Sequence, residues 1–244
     1  TKRDVGKKTP LGRDNSPRSG GITAINLRED KDGKPDDLVS AQTIMADEDL
    51  ILVSRDGQAV RFTATDDQLR SMGRSTSGVR GMKFRGDDEL LSMEVPRENT
   101  DLLIVTESGY AKRTPVDEYP TKSRGTLGVR VGKLVDERGG LVGALVVRPD
   151  EDVMVITESG KLVQVNASDV RPTARNTMGV IFARPDDGDR IIAITRNSDS
   201  GDEDETDESE NTEATQAPDA AEGTDAPANE ATASEGDDTA DAQN

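Results

Sequence analysis

Residues 101–115 read Asp101-LLIVTESGYAKRTP, and this stretch decides the fold because close copies of it recur along the chain. The copies are Asp49-LILVSRDGQAVRFTA and Asp152-VMVITESGKLVQVN. Each has an apolar run, a polar turn that ends in glycine, and a second short run. A partial fourth copy, Thr1-KRDVGKKTPL, opens the chain and matches the spacing from Thr106 onward. A fixed period of about fifty residues indicates a repeat architecture.

A second element follows each hairpin and contains a glycine before a β-branched residue. Its copies are Arg18-SGGITAINL, Arg74-STSGVRGMKF, Arg124-GTLGVRVGKL and Arg175-NTMGVIFARP. Each repeat then closes with another apolar run, such as Leu90-LSMEV or Leu141-VGALVV. We expect the repeats to span 1–46, 47–98, 99–149 and 150–197, and together to form one domain.

The runs are predicted to be strands because they are short, rich in Val, Ile and Leu, and bounded by Gly, Asp, Ser and Pro. Asp-Gly and Ser-Gly turns suit hairpins that need positive φ at the glycines Gly57, Gly109 and Gly160. The glycines of the second element are expected to permit turns and close strand approach. About four strands per repeat predicts an all-β fold of propeller-like, four-stranded blades.

Composition excludes several classes of function. The 244 residues include no His and no Cys, which excludes a Ser-His-Asp triad, a cysteine nucleophile and a zinc finger. No apolar run approaches the roughly 20 residues that span a bilayer, so we expect no membrane contact. No spacing matches a nucleotide-binding loop, and we expect this chain to hold no metal, no cofactor and no catalytic residue. With few aromatic residues, the core should consist mainly of Val, Ile, Leu and Met.

The charge is distributed very unevenly. Residues 198–244 hold 17 of the 49 acidic residues and no basic one, whereas residues 1–197 hold 31 basic and 32 acidic residues. The last 47 residues also lack Val, Ile, Leu and aromatic side chains. Such a segment cannot bury enough apolar surface to offset its ordering entropy, so 198–244 is predicted to be a disordered acidic tail.

Basic residues of the body recur at fixed places in the repeat, on the second hairpin strand and around the glycine element. Repetition should place them on one rim, where they could follow the phosphates of a DNA duplex. The alternative is an ordinary solvated face in which acidic neighbours neutralise each charge. The candidate DNA-binding residues are Lys7, Lys8, Arg18, Arg61, Arg74, Arg80, Lys83, Arg85, Lys112, Arg113, Lys122, Arg124, Arg130, Lys161, Arg171 and Arg175.

These stretches resemble a known family. Arg18-SGGITAINL, Gln58-AVRFTATDDQLRSMGRSTSGVRGMKF, Gly109-YAKRTPVDEYP, Gly140-LVGALVV and Asp189-RIIAITRN together resemble the C-terminal domain of the A subunit of DNA gyrase in its actinobacterial form. The resemblance implies a six-bladed β-pinwheel with a basic, DNA-wrapping perimeter, of which about four blades are present in an N-terminally truncated fragment. The family's box Gln-Arg-Arg-Gly-Gly-Lys-Gly is absent, and its nearest match is Lys122-SRGTLG.

The resemblance also implies a parent enzyme. That enzyme would be an ATP-hydrolysing type II topoisomerase that introduces negative supercoils, with ATP and Mg bound outside this chain. The implied partners are double-stranded DNA, the gyrase B subunit and the rest of the A subunit in an A2B2 heterotetramer, in the bacterial cytoplasm with the nucleoid. The alternatives are the corresponding domain of topoisomerase IV and a propeller-type protein-interaction scaffold without DNA binding.

Overall fold

The computed structural model describes residues 1–13 and 20–197, so Arg18 and the predicted tail lie outside the described residues. Short 3₁₀ turns are Leu11–Arg13, Val116–Glu118, Asp136–Arg138 and Ala167–Asp169. The strands are β1 Val5–Gly6, β2 Asp49–Ser54, β3 Gln58–Thr63, β4 Val79–Arg80, β5 Leu90–Glu94, β6 Asp101–Thr106, β7 Tyr110–Pro115, β8 Val129–Arg130, β9 Leu141–Val147, β10 Asp152–Thr157, β11 Leu162–Asn166, β12 Val180–Ile181 and β13 Ile191–Arg196. The predicted all-β class is confirmed.

Three hairpins form the centres of the blades. They are β2–β3, β6–β7 and β10–β11, and all are antiparallel. Their turn glycines Gly57, Gly109 and Gly160 have φ values of 77°, 80° and 88°, which confirms the predicted positive φ. A side chain at these positions would be strained, and glycine adopts the conformation at little cost.

A third strand pairs with the other side of each central strand. β5 pairs with β2, β9 with β6 and β13 with β10, each with a register shift at the equivalent place. β9 also packs against both β5 and β13. β9 therefore lies between β5 and β13.

The fourth strand of a blade comes from the following repeat. β8 pairs with β3, β12 pairs with β7, and β4 pairs with β1. The periodicity predicts four strands per repeat, but it does not predict that one of them crosses to the preceding blade. The crossing requires glycine, since a Cβ on Gly128 would lie 2.0 Å from Ala59 O and one on Gly179 would lie 2.4 Å from Ala111 O. Close strand approach at these two glycines is confirmed.

The core lies between successive blades. Ile51 and Val53 of β2 pack with Leu102 and Ile104 of β6, whereas Leu50 and Leu52 of β2 pack in a different cluster. A central strand buried on both faces needs a continuous apolar run in place of simple alternation. The expected core of Val, Ile, Leu and Met is confirmed. Among the described residues, no helix has the length and apolar character needed to cross a membrane.

Candidate nucleic-acid interface

Three basic positions recur around the glycine whose strand crosses to the preceding blade. The glycine is Gly78, Gly128 or Gly179, depending on the repeat. In each repeat the first position lies four residues before the glycine, the second lies two residues after it, and the third lies five residues after it. We call this set the basic rim. It consists of Arg74, Arg124 and Arg175, then Arg80 and Arg130, then Lys83, Lys133 and Arg184.

Lys133 and Arg184 are absent from the residues predicted from sequence. Both are exposed, and both lie five positions after their glycine, as Lys83 does. The spacing was present in the sequence and could have identified them. Ile181 takes the place of Arg80 and Arg130 in the last repeat, so the rim has one cation fewer there.

Backbone contacts place the rim residues of neighbouring repeats side by side. Arg124 Nη1 donates to Arg80 O at 2.9 Å, and Arg175 Nη1 donates to Arg130 O at 3.4 Å. The backbone N–H groups of Lys83 and Lys133 donate to carbonyls in the next repeat's loop at 2.8 and 3.1 Å. The basic rim is therefore continuous from one repeat to the next.

Several predicted cations are exposed and have no partner among the residues that the structure describes. Within residues 1–13 and 20–197, no ion pair or side-chain hydrogen bond engages their charged ends. Lys133 and Arg184, which the sequence analysis missed, have the same properties. The exposed set comprises Lys83, Arg85, Lys122, Arg130, Lys133, Arg171 and Arg184. Their charges are not neutralised within the described part of the chain and remain available to an anionic partner.

Two rim arginines mainly hold their loops in place. Arg124 is half-buried, its backbone N–H donates to Gln68 Oε1 at 3.1 Å, and its Nε donates to Gln68 O. The Arg175 guanidinium lies 5.9 Å from the centre of the Tyr119 ring, within reach of a cation–π interaction. Both side chains donate hydrogen bonds to the protein's own backbone. These bonds fix the path of the loops that carry the exposed cations.

The basic side chains of the second hairpin strands are engaged internally. Lys8 Nζ lies 3.0 Å from Asp66 Oδ1, and Arg61 Nε lies 2.7 Å from Asp49 Oδ2. Arg61 Nη1 also donates to Val116 O in the next repeat at 3.1 Å. Lys8 and Arg61 are themselves half-buried, and these contacts largely neutralise their charges.

Two residues predicted on the rim, Lys112 and Arg113, are buried instead. Their exposed fractions are 3% and 5%, because neighbouring repeats cover both faces of β7. Arg113 Nε lies 3.3 Å from Asp101 Oδ2, whereas Lys112 Nζ donates to Thr114 Oγ1. Burial lowers the pKa of Lys112 from 10.5 to about 8. Neither side chain is placed to contact DNA.

The remaining predicted residues have mixed surroundings. Lys7 Nζ donates to Arg74 O at 2.9 Å, which places this half-buried amine against the rim. Arg80 Nε lies 2.7 Å from Asp4 Oδ2, although the Arg80 side chain is 59% exposed. Lys161 is exposed and lies 3.5 Å from Asp186. Arg74 is also exposed.

Acidic clusters that could hold a metal are not found in the described ranges, where no three Asp or Glu side chains group suitably. Asp30, in a polar loop, accepts hydrogen bonds from the backbone N–H groups of Asp32 and Lys34, at 2.9 and 2.8 Å. The Asp30 carboxylate therefore orders its own turn.

Comparison with known proteins assigns the family. The description "DNA gyrase C-terminal domain, beta-propeller" matches residues 48–97, 100–148 and 151–198. The chain is 50% identical over 203 residues to the DNA gyrase A subunit of Streptomyces coelicolor, covering 83% of this chain and 24% of the relative. It is 47% identical over 204 residues to the DNA gyrase A subunit of Mycobacterium tuberculosis, covering 83% and 24%. The chain thus spans about a quarter of the length of these relatives.

Solved structures agree with this assignment. A DNA gyrase A C-terminal domain superposes with a TM-score of 0.64 at 29% identity, covering 72% of this chain and 58% of that one. The C-terminal domain of a DNA topoisomerase IV superposes with a TM-score of 0.71 at 21% identity, covering 80% and 59%, and shows a shared fold alone. On the three matched repeats and the identity to gyrase relatives, the chain belongs to the DNA gyrase C-terminal domain family of β-propellers.

Proposed function

We propose that this chain is the DNA-wrapping domain of a DNA gyrase A subunit. It would be a non-catalytic part of an ATP-dependent type II topoisomerase that introduces negative supercoils. Family membership supports the enzyme class. The single observation that carries DNA contact is the continuous basic rim with its exposed cations, chiefly Lys83, Arg130, Lys133 and Arg184, which pair with no described residue.

The repeat supplies a mechanism for wrapping. A duplex carries one negative charge for about every 1.7 Å of its length, so cations repeated along a rim can follow its backbone. Successive blades carry equivalent cations, and a duplex that bends to follow them would meet a new set at each blade. Bending a short site costs on the order of 1–6 kcal/mol, which the added phosphate contacts would offset. Contacts of this kind position DNA without reading its sequence.

The parent assembly is part of the same proposal. The gyrase B subunit and the rest of the A subunit would complete an A2B2 heterotetramer, and ATP and Mg would act there. The chain itself contains neither His nor Cys, and the exposed cations of its basic rim would provide charge complementarity to phosphate. Action on chromosomal DNA would place the protein in the bacterial cytoplasm, associated with the nucleoid.

Charge neutralisation tests the proposal. Replacing Lys83, Arg130, Lys133 and Arg184 together with Gln should weaken duplex binding almost equally for all DNA sequences. Removal of one phosphate contact should reduce the slope of log K against log salt by about 0.9, which amounts to roughly 3–4 for all four residues. Fluorescence anisotropy with two unrelated duplexes across a salt series would measure both effects.

A matched control removes cations that lie outside the rim. Arg97 and Arg148 are 67% and 57% exposed and already face Glu48 and Glu151. Their replacement with Gln should leave affinity and salt slope nearly unchanged. Equal losses of affinity in both variants, or no loss in the rim variant, would contradict the proposal. A scaffold without DNA affinity would show no salt-dependent binding in any variant.

A further inference from the structure

A further set of exposed cations lies on the segments that lead to the crossing glycines. Before it reaches its glycine, each of these segments forms a β-bridge with a hairpin strand of the preceding blade. The bridged pairs are Ser71 with Lys8, Thr121 with Arg61 and Pro172 with Arg113. An exposed basic residue lies next to each bridge on the segment. We call these residues the second row, and they are Arg70, Lys122 and Arg171.

Equivalent backbone hydrogen bonds place the second row in the same way on three successive blades. The bonds follow the bridges, and each runs from an N–H group of the segment to a carbonyl of the hairpin strand. They join Met72 to Lys8 at 2.9 Å, Lys122 to Arg61 at 2.8 Å and Thr173 to Arg113 at 2.9 Å. The second row therefore repeats from blade to blade, as the basic rim does.

The charges of the second row are available to a partner. In the described part of the chain, no ion pair or side-chain hydrogen bond engages the charged ends of Arg70, Lys122 or Arg171. Two acidic residues precede members of the row in the chain, but both face other cations. Asp66 lies 3.0 Å from Lys8 and Asp117 lies 3.6 Å from Arg61. These carboxylates reduce the charge of the hairpin strands and leave that of the second row.

The second row and the basic rim lie on the same edge of each hairpin strand. β2 pairs along one edge of β3, so β8 and the bridge to Thr121 occupy the other. On that edge Arg130 lies opposite Gln58, and the bridge lies at Arg61, three residues farther along β3. A strand rises about 3.3 Å per residue, so the two rows are about 10 Å apart. The interval is the same in the other blades, from Val5 to Lys8 and from Tyr110 to Arg113.

We propose, on the basis of the proposed function, that the rim and the second row bind different strands of one DNA duplex. The two rows would lie on either side of one groove. The grooves of B-form DNA are about 6 Å and about 12 Å wide, and flexible Lys and Arg side chains extending from rows about 10 Å apart suit phosphates that flank one groove. Contacts to both strands also fix the rotation of the duplex about its own axis, so a defined groove would face each blade.

Neutralisation of the second row tests the proposal. Replacing Arg70, Lys122 and Arg171 together with Gln should weaken the binding of unrelated duplexes. The slope of log K against log salt should fall by about 2–3, since each lost phosphate contact accounts for about 0.9. Fluorescence anisotropy across a salt series would measure both effects, and circular dichroism would check that the fold is retained. A variant that keeps the charges, with Arg70→Lys, Lys122→Arg and Arg171→Lys, should retain the wild-type slope.

Single-stranded DNA distinguishes contact with two strands from a broader contact with one. A single strand can follow only one row at a time, so the rim should still hold it when the second row is neutralised. The affinity of the second-row variant for a single strand of thymidines should therefore stay close to that of wild type. A control variant with Lys31→Gln, Arg97→Gln and Arg148→Gln removes as many exposed charges outside both rows. It should bind both forms of DNA as wild type does.

Two outcomes would overturn the proposal. An unchanged duplex slope in the second-row variant would mean that the second row does not contact DNA. Equal losses on duplex and on single-stranded DNA would mean that both rows serve one strand. In either case, weaker duplex binding by the rim variant would still support the proposed function. A wild-type protein that binds no duplex at all would instead contradict the proposed function itself.

Discussion

At the scale of single residues, two adjacent buried cations on β7 differ in the partners that surround their charges. Arg113 lies beside Asp101 and donates from Nη1 to Pro149 O at 3.3 Å, so its charge has a partner and an acceptor. Lys112 forms no ion pair with a described residue, and its Nζ donates to the Thr114 hydroxyl. Burial lowers the pKa of Lys112 to about 8, Glu118 opposes that shift, and Arg175 adds to it. Lys112 therefore reduces stability while it carries its charge.

The pH dependence of stability should reveal this cost. The pKa of Lys112 is about 8 in the folded state, against the ordinary lysine value of 10.5 that applies to the unfolded state. Between these two pH values the folded state therefore binds fewer protons than the unfolded state. The contribution of Lys112 to the free energy of unfolding should therefore rise with pH across that window. Lys112→Met should stabilise the protein by about 1–2 kcal/mol at neutral pH, with a smaller gain above pH 8.

Urea denaturation at about pH 7 and about pH 9.5 would measure the difference between wild type and Lys112→Met. Lys133→Met, at an exposed site, should show little difference at either pH. A gain for Lys112→Met that is the same at both pH values would mean that the buried amine does not titrate in this range.

At the scale of secondary-structure elements, the crossing strands join each blade to the next. β8 completes the blade of β3 although it belongs to the next repeat. The backbone of β8 comes so close that Gly128 is needed both for its φ of 75° and for the space beside Ala59 O. Gly160 has a similar φ of 88°, but no atom of the described residues lies within 4 Å of where its Cβ would be.

Alanine substitution should separate these two requirements. Gly160→Ala adds backbone strain alone and should cost about 1 kcal/mol. Gly128→Ala adds similar strain and a collision with the backbone of the preceding blade, so it should cost about 3 kcal/mol or more. Chemical denaturation of both variants would measure the costs. Equal losses of stability would mean that the crossing strand can shift away from β3 without penalty.

At the scale of the whole molecule, charge is divided between a nearly neutral body and a strongly acidic end. Residues 198–244 carry 17 carboxylates and no cation, whereas the body carries the basic rim. A covalent tether raises the effective concentration of one charged segment for another. We expect them to compete with DNA phosphate for the rim.

Deletion of residues 198–244 should therefore strengthen duplex binding at low salt. The difference between full-length and truncated protein should shrink as salt screens both interactions. Binding curves for the two proteins across a salt series would test this. Coincident curves at low salt would indicate that the acidic segment only aids solubility, and weaker binding by the truncated protein would contradict the expectation.

The sequence by itself determined the repeats, the hairpins and their turn glycines. These features depend on local chemistry: apolar runs of strand length and glycines where φ must be positive, as at Gly57 and Gly109. The basic positions around the crossing glycine were also determined locally, since fixed spacing places equivalent residues at equivalent sites. Lys133 and Arg184 obey that spacing, so a comparison of all three repeats would have predicted them.

Only the tertiary structure decided which blade receives each crossing strand and which basic side chains are buried. The close approach of Gly128 to Ala59 joins residues of different repeats, and no local pattern specifies that pairing. Arg113 and Lys122 are both basic, yet one is buried and the other is exposed. Side chains alternate between the faces of a strand, but the packing of neighbouring repeats decides whether a face meets protein or water.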